Sequence, residues 1–164
     1  MLPNPKWPLW IAASINKHFK DNTTLLDGES IFFEGLHRSE ETTNKNYIIE
    51  VRFDGPYMQQ MSPTLWKLNY EINIIIQAQI LDGSSNYRIY DIMGRVTEVM
   101  AEIINIYDYD INNVSPQYID CLKRKTGKEG RDDIQAHYFG QIEPKVKRVQ
   151  AVVEAHYYVE LSRD

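Results

Sequence analysis

Two short motifs in the sequence match those of serine β-lactamases and penicillin-binding proteins, in which a serine nucleophile works beside a lysine. Ser14 and Lys17 have the S-x-x-K spacing, and Lys125-Thr126-Gly127 matches K-T-G. The third motif of these enzymes, S-D-N, is absent, and 164 residues is a short chain for their fold. Because motifs of three or four letters often arise by chance, the sequence does not favour nucleophilic catalysis.

A second candidate is the segment that begins at Asp108, where acidic and amide residues alternate as they do at the start of a calcium-binding loop. Position six of that loop would be Asn113, where the turn requires glycine. Position twelve would be Ile119, where calcium requires a bidentate glutamate. We therefore interpret the segment as an exposed loop that follows a helix.

The remaining residues with catalytic or ligating chemistry form no recognisable pattern. No two histidines have the spacing of a zinc site, and the sequence has one cysteine. It contains neither of the glycine-rich motifs that bind nucleotide phosphates. We predict that the protein is not an enzyme and holds no metal and no cofactor.

Basic residues are concentrated in one stretch, 123–133, which also contains acidic residues. The net charge of the whole chain is -5, which argues against a dedicated sequence-specific DNA-binding domain. We interpret 123–133 as a mobile, solvated loop. Its alternative role is to dock another subunit through Lys123, Arg124, Lys125, Lys128 and Arg131.

The elements that would position any site include one stretch of near-perfect alternation, 66–80, which predicts a long β-strand. A strand of this length spans about 50 Å, whereas a compact domain of this size is about 40 Å across. We therefore expect the strand either to bend sharply or to project beyond its own domain. A projecting strand leaves unpaired backbone edges, which a neighbouring subunit would have to cover.

The polar side of this strand carries a row of neutral amides, Asn69, Asn73, Gln77 and Gln79. The row is either an ordinary hydrated sheet face or the lining of a channel through which DNA passes without binding. Neutral amides and a negatively charged subunit suit the second role, because neither attracts phosphate.

Periodicity elsewhere predicts helices over 7–20 and 85–106. It predicts further strands over 30–36, 47–53, 118–125, 136–142 and 149–161. Asp54-Gly55-Pro56 is expected to end the strand before it, since proline lacks a donor, and the wholly polar stretch 38–46 is expected to be a mobile loop. The predicted fold is a single α+β domain over 1–164, with an antiparallel β-sheet of long strands and two helices packed on one face.

The sequence also indicates where the protein is made. No apolar stretch is long enough to span a membrane, and the first residues lack the pattern of a signal peptide. A single cysteine suits a reducing compartment. We expect a protein that is made in a cytoplasm and has no membrane partner.

The order of these elements and the two long alternating strands, 66–80 and 149–161, resemble those of the tail terminators and allied neck proteins of tailed bacteriophages. The resemblance covers most of the chain and is one of pattern, since that family has no diagnostic motif. It implies a non-enzymatic ring, commonly a hexamer, that caps the tail tube and joins it to the head connector. The location it implies is the virion, after assembly in the host cytoplasm.

The partners implied by this resemblance are further copies of the chain, the tail tube protein and a head connector or stopper protein. DNA would only pass through the lumen, without specific binding. Two alternatives stay open at this point. One is a head–tail stopper or adaptor protein of the same neck. The other, from a different class, is a monomeric α+β ligand-binding module with an apolar cavity between sheet and helix.

Overall fold

The chain forms two helices and seven strands within the residues that the computed structural model describes, which are 5–33, 47–79, 85–101, 103–109, 114–126, 133–143 and 146–162. In chain order the elements are α1 (Trp7–Asn22), β1 (Glu29–Phe33), β2 (Tyr47–Gln60), β3 (Leu65–Gln79), α2 (Ser85–Ala101), β4 (Ile104–Tyr107), β5 (Tyr118–Arg124), β6 (Gln135–Glu143) and β7 (Val146–Ser162). The predicted loop 38–46 lies outside the described residues.

All seven strands belong to one sheet with the order β1-β2-β3-β7-β5-β4, and β6 pairs with the same side of β7 as β5 does. β1 and β2 are parallel, and every other described pair of neighbours is antiparallel. Both helices pack on one face of this curled sheet. The predicted α+β class, with long antiparallel strands and helices on one face, is confirmed. The parallel β1–β2 pair is a departure from that prediction.

The long strand β3 is paired on both sides along nearly its whole length. Its register runs from Trp66, which lies opposite Gln60 of β2 and Leu161 of β7, to Ala78 at the other end. The prediction that this strand leaves unpaired backbone edges for a neighbouring subunit is therefore wrong. Its length is matched inside the chain, because β2 has 14 residues and β7 has 17.

β2 continues through Asp54-Gly55-Pro56, which the sequence predicts as the end of a strand. The register with β3 shifts between Asp54 and Tyr57, which forms a β-bulge, and the Gly55–Pro56 peptide bond is cis. The φ angle of the glycine is 122°, and a Cβ atom there would lie 2.7 Å from the carbonyl oxygen of Asn69. The bulge takes up the residues that cannot join the ladder, so that pairing resumes at Tyr57.

Alternation divides the long strands into a buried face and an open face. The apolar positions of β3 and β7 form the buried face, and most of them are inaccessible to water. The helices cover these positions with apolar residues at helical spacing, which are Ile11, Ile15, Phe19, Ile89, Ile92 and Val96. Burial of each isoleucine side chain stabilises the folded state by about 2 kcal/mol relative to exposure. This apolar layer therefore supplies most of the favourable free energy of folding.

Helix α2 ends at Ala101 and does not extend to 106 as predicted. Ile104 and Ile106 are buried in strand β4, with the exposed Asn105 between them. A spacing of two places both isoleucines on one face of a strand, whereas in a helix they would point in different directions. No described helix has the length and apolar character needed to cross a membrane.

A buried carboxylate joins β1 to α2. The Glu29 side chain is inaccessible and lies 2.7 Å from Arg95 Nη1 and 3.1 Å from Arg88 Nη2. Burial raises the pKa of this carboxyl, but hydrogen bonds from Arg95, the Leu26 N–H and Arg88 outweigh burial, so that the pKa lies below its ordinary value of 4.5. Glu29 is therefore ionised in the folded protein and fixes β1 to the helix layer.

The lowered pKa of Glu29 makes part of the stability depend on pH. Its contribution is fully present above pH 4.5, the ordinary pKa, and is lost as the pH falls through the pKa of the folded state. Glu29→Gln should reduce the free energy of unfolding by about 3 kcal/mol near neutral pH, because two arginines lose their charged partner. Urea unfolding of both proteins from about pH 3 to pH 7 measures this loss.

The difference between the two proteins should shrink as the pH falls below 4.5. Asp21→Asn is the control, since it removes an exposed ion pair with Lys17 on α1 and should change the stability little. A difference between wild type and Glu29→Gln that stays constant over the whole pH range would contradict this role of Glu29.

Candidate functional site

The face of the sheet opposite the helices holds the amide row predicted to line a channel. Asn69, Asn73 and Gln77 lie on this face and are half-buried, and Gln79 is exposed at the end of β3. Gln77 Nε2 donates to Gln150 Oε1 of β7 at 3.3 Å, so the row is tied to its neighbours. The structure brings the four amides onto one surface that points away from the helices. Their role as a channel lining stays a prediction.

Charged residues of the neighbouring strands flank this row. Asn73 lies between Arg52 of β2 and Glu154 of β7. Glu71 lies directly opposite Asp54, so two carboxylates are cross-strand neighbours. The open face is therefore a mixture of amides and charges, and its adjacent carboxylates repel phosphate.

The described start of the basic stretch, 123–126, is joined to the sheet. Lys123 and Arg124 are the last two residues of β5, and successive strand residues leave opposite faces of a sheet. The Lys125 N–H donates to a backbone carbonyl of β7 at 2.8 Å. The expected loop therefore does not include these three residues, and their role as subunit contacts stays a prediction. Lys128 and Arg131 lie outside the described residues.

β2 and β3 meet in a hairpin whose outer part is exposed on both faces. We call 54–65 the distal hairpin, and its turn is closed by a hydrogen bond from the Met61 N–H to the Leu65 carbonyl at 2.9 Å. Its exposed apolar side chains are Tyr57, Met58 and Met61, each about half accessible. Apolar area costs about 25 cal/mol per Å² to leave in water, so exposed apolar side chains on both faces of a hairpin end mark a place of contact.

Sequence reasoning misses the distal hairpin because Gly55-Pro56 is typical of a strand end. The length of β3 is the feature of the sequence that identifies the distal hairpin. The fifteen residues of β3 need a partner at both ends, and a strand that stops at Phe53 covers only one of them. A continued strand after the proline is the simplest way to satisfy the remaining backbone groups.

Two long strand edges are open within the described part of the chain. β1 covers β2 only from Tyr47 to Val51, so no described strand lies beside the outer edge of 52–60. β6 pairs with β7 alone, which leaves the outer edge of Gln135–Glu143 open. The other outer strands are short, since β1 has 5 residues and β4 has 4. Short edges resist strand addition, whereas long open edges are the places where another chain can add.

The β6 edge carries an exposed aromatic residue of its own. Phe139 lies at a β-bulge, and its ring centroid is 6.1 Å from that of His137. Tyr138 packs against Tyr90 of α2 with ring centroids 5.1 Å apart. β6 is therefore fixed to the helix layer on one side while Phe139 stays free for contact.

A groove of about 400 Å³ lies between α1 and β4. Its lining includes Ser14, Lys17, His18, Tyr107 and Tyr109. Ser14 is buried, and its Oγ accepts a hydrogen bond from the Tyr107 N–H at 3.1 Å, while Lys17 Nζ lies 3.0 Å from a carboxylate oxygen of Asp21. The two residues of the S-x-x-K motif thus hold β4 and form a surface ion pair.

The acidic segment at Asp108 has a structural contact. Its carboxylate accepts a hydrogen bond from the Gln117 N–H, and its own N–H donates to the Gln117 carbonyl. Residues 110–113 of the calcium-loop pattern lie outside the described residues. In the ranges that the structure describes, no group of three or more His, Cys, Asp or Glu side chains is placed to hold a metal ion.

The chain matches no family model, and no curated protein matches it significantly.

The conformation of the distal hairpin requires glycine at position 55. Gly55→Ala should reduce the free energy of unfolding by about 2 kcal/mol, because alanine is strained at this φ angle and its Cβ would meet the Asn69 carbonyl. Urea or thermal unfolding measures the change. Gly94→Ala is the matched control in α2, where a Cβ atom meets nothing within 4 Å.

The Gly94 variant should gain about 0.5–1 kcal/mol, since alanine favours a helix interior. Equal effects of the two substitutions, in sign and in size, would show that the bulge does not depend on its glycine.

Proposed function

We propose that the protein is a structural, non-enzymatic subunit of a phage neck, which forms a hexameric ring that caps the tail tube and joins it to the head connector. The observation that carries this proposal is the distal hairpin, where exposed apolar side chains occur beside a strand edge that no described strand covers. Such a surface suits contact with protein, because a partner buries the apolar area and pairs the backbone groups.

The support for assembly comes from the outer strands of the sheet. The backbone of β3 is satisfied within the chain, so the length of that strand does not argue for a partner. The outer edges of β2 and β6 do argue for a partner, because each presents backbone donors and acceptors that no described strand pairs. The resemblance in element order to tail terminators makes a ring of identical copies the assembly that we favour.

The open face of the sheet suits the lumen of such a ring. Its amides do not attract phosphate, and the neighbouring carboxylates of Asp54 and Glu71 repel it, so that DNA passes without strong binding. The partners in this proposal are further copies of the chain, the tail tube protein and the head connector. The protein would be located in the virion after assembly in the host cytoplasm, with no role for a membrane.

Two other functions compete with this one. A stopper or adaptor of the same neck would use the same surfaces and differ only in its neighbours. A ligand-binding module is favoured by the groove between α1 and β4, whose volume of about 400 Å³ lies in the range of small-molecule sites. The hypothesis predicts an apolar cavity, whereas this groove is lined largely by polar side chains, and Ser14 and Lys17 in it already have partners.

The location of the protein in purified phage particles tests the proposal. A tagged chain is supplied during infection by the phage that encodes it, and the particles are purified and labelled with antibody for electron microscopy. We expect the label at the junction of tail and head, on the tail side. A label on the head side would favour a stopper or adaptor, and particles without the chain would contradict every neck function.

Substitutions distinguish specific incorporation from trapping. Met58→Asp should reduce incorporation by about tenfold or more, because it places a charge in the contact. Leu9→Asp, at an exposed leucine on α1, is the control and should be incorporated as the wild type is. Equal incorporation of both variants would show that the distal hairpin makes no contact in the particle.

A further inference from the structure

The two long edges that no described strand covers match each other in length. β6 has 9 residues, and the part of β2 beyond its pairing with β1, 52–60, has the same length. The two edges lie on opposite sides of the sheet, since β2 is separated from β6 by β3 and β7. One copy of the chain therefore presents two different edges of equal length that face in opposite directions.

The strand directions also match. β2 and β7 are both antiparallel to β3, so they run the same way, and β6 is antiparallel to β7. β6 therefore runs opposite to β2. When two copies lie side by side in the same orientation, β6 of one copy meets β2 of the next as an antiparallel pair, which is the more stable kind of ladder.

Each edge carries an exposed aromatic side chain near its middle. Tyr57 on the β2 edge is 57% exposed, and Phe139 on the β6 edge is 61% exposed. Aromatic residues are enriched in the centre of protein interfaces because they bury a large area. Edge pairing would bury both rings and would pair the backbone of both strands at once.

We propose that copies of this chain associate head to tail, with the β6 edge of one copy, Gln135–Glu143, pairing antiparallel with the β2 edge of the next, 52–60. This proposal rests on the ring proposed above and names its subunit contact. A second copy is the favoured occupant because it fills both edges, whereas a two-fold dimer through β2 leaves every β6 edge open. Pro56 has no N–H to donate, so the ladder forms in two short runs on either side of the bulge.

The positions of the two edges along the sheet set the geometry of the ring. Across β3, residues 52–60 of β2 align with the C-terminal half of β7, from Glu154 to Leu161. Strand β6 pairs with the N-terminal half of β7, from Val146 to Glu154. The centres of the two edges are thus offset along the strands by about 25 Å. Neighbouring subunits of a closed ring lie at the same height along the ring axis. Because the paired edges are offset along the strands, the strands must be inclined to that axis, as they are in closed β-barrels.

Disulfide trapping between two single-cysteine variants tests this contact. The natural free cysteine is first removed by Cys121→Ser, and Tyr57→Cys and Phe139→Cys are then made separately in that background. After mild oxidation, the mixture of the two variants should give about tenfold more cross-linked dimer than either variant alone. Leu9→Cys mixed with Phe139→Cys is the control and should give no more than background.

Each other outcome overturns the proposal. Efficient cross-linking of Tyr57→Cys with itself would indicate a two-fold contact through β2. Background levels in every mixture would mean that the two edges do not meet.

A second experiment does not depend on cysteine chemistry. Met58→Glu and Phe139→Glu should each prevent association beyond the monomer, and their mixture should give a one-to-one dimer that grows no further, since each copy keeps one intact edge. A mixture that stays monomeric where the wild type associates would contradict head-to-tail pairing.

The subunit contact and the proposed function can fail separately. If the edges do not pair in these experiments but the protein is found at the neck of the particle, the contact is refuted and the proposed function stands. A trapped contact in a protein that is absent from particles would refute the function alone.

Discussion

The continuous pairing of β2, β3 and β7 is the constraint on which the rest of the structure depends. Their register decides which side chains of β3 are buried, and a shift by one residue would turn Ile72, Ile74 and Ile76 toward water. The helices can pack only on the face that this register makes apolar. The bulge at Gly55 changes which residues of β2 lie on the helix side of the sheet. Before the bulge these are the odd-numbered residues. After the bulge they are the even-numbered ones, since Met58 lies opposite Leu68 and Gln60 opposite Trp66.

The sequence predicts the parts of the fold that rest on a single local pattern. Alternation over 66–80 and 149–161 identifies the two central strands, and the helical spacing in α1 and the start of α2 is equally clear. Boundaries are harder wherever two patterns overlap. Ile104 continues the apolar stripe of α2 in sequence, but it belongs to a strand because tertiary pairing with β5 decides its conformation.

The candidate site is less predictable, because it depends on which strands become neighbours. The amide row can be read from alternation alone, whereas the carboxylates beside it come from β2 and β7 and need the register. The basic residues at 123–125 look like one patch in sequence, but a strand sends neighbouring side chains to opposite faces. Pairing partners are long-range properties, and no local pattern specifies that no described strand covers the outer edges of 52–60 and β6.

The complete pairing of β3 has a kinetic consequence. Because every long-range ladder that buries the core forms within one chain, folding is a first-order process whose rate does not change with dilution. The association proposed for the outer edges would be second-order, so it would slow in proportion as the chains are diluted. In the proposed ring, the amount of protein made would set the time at which copies come together, and each copy would already be folded when it meets the next.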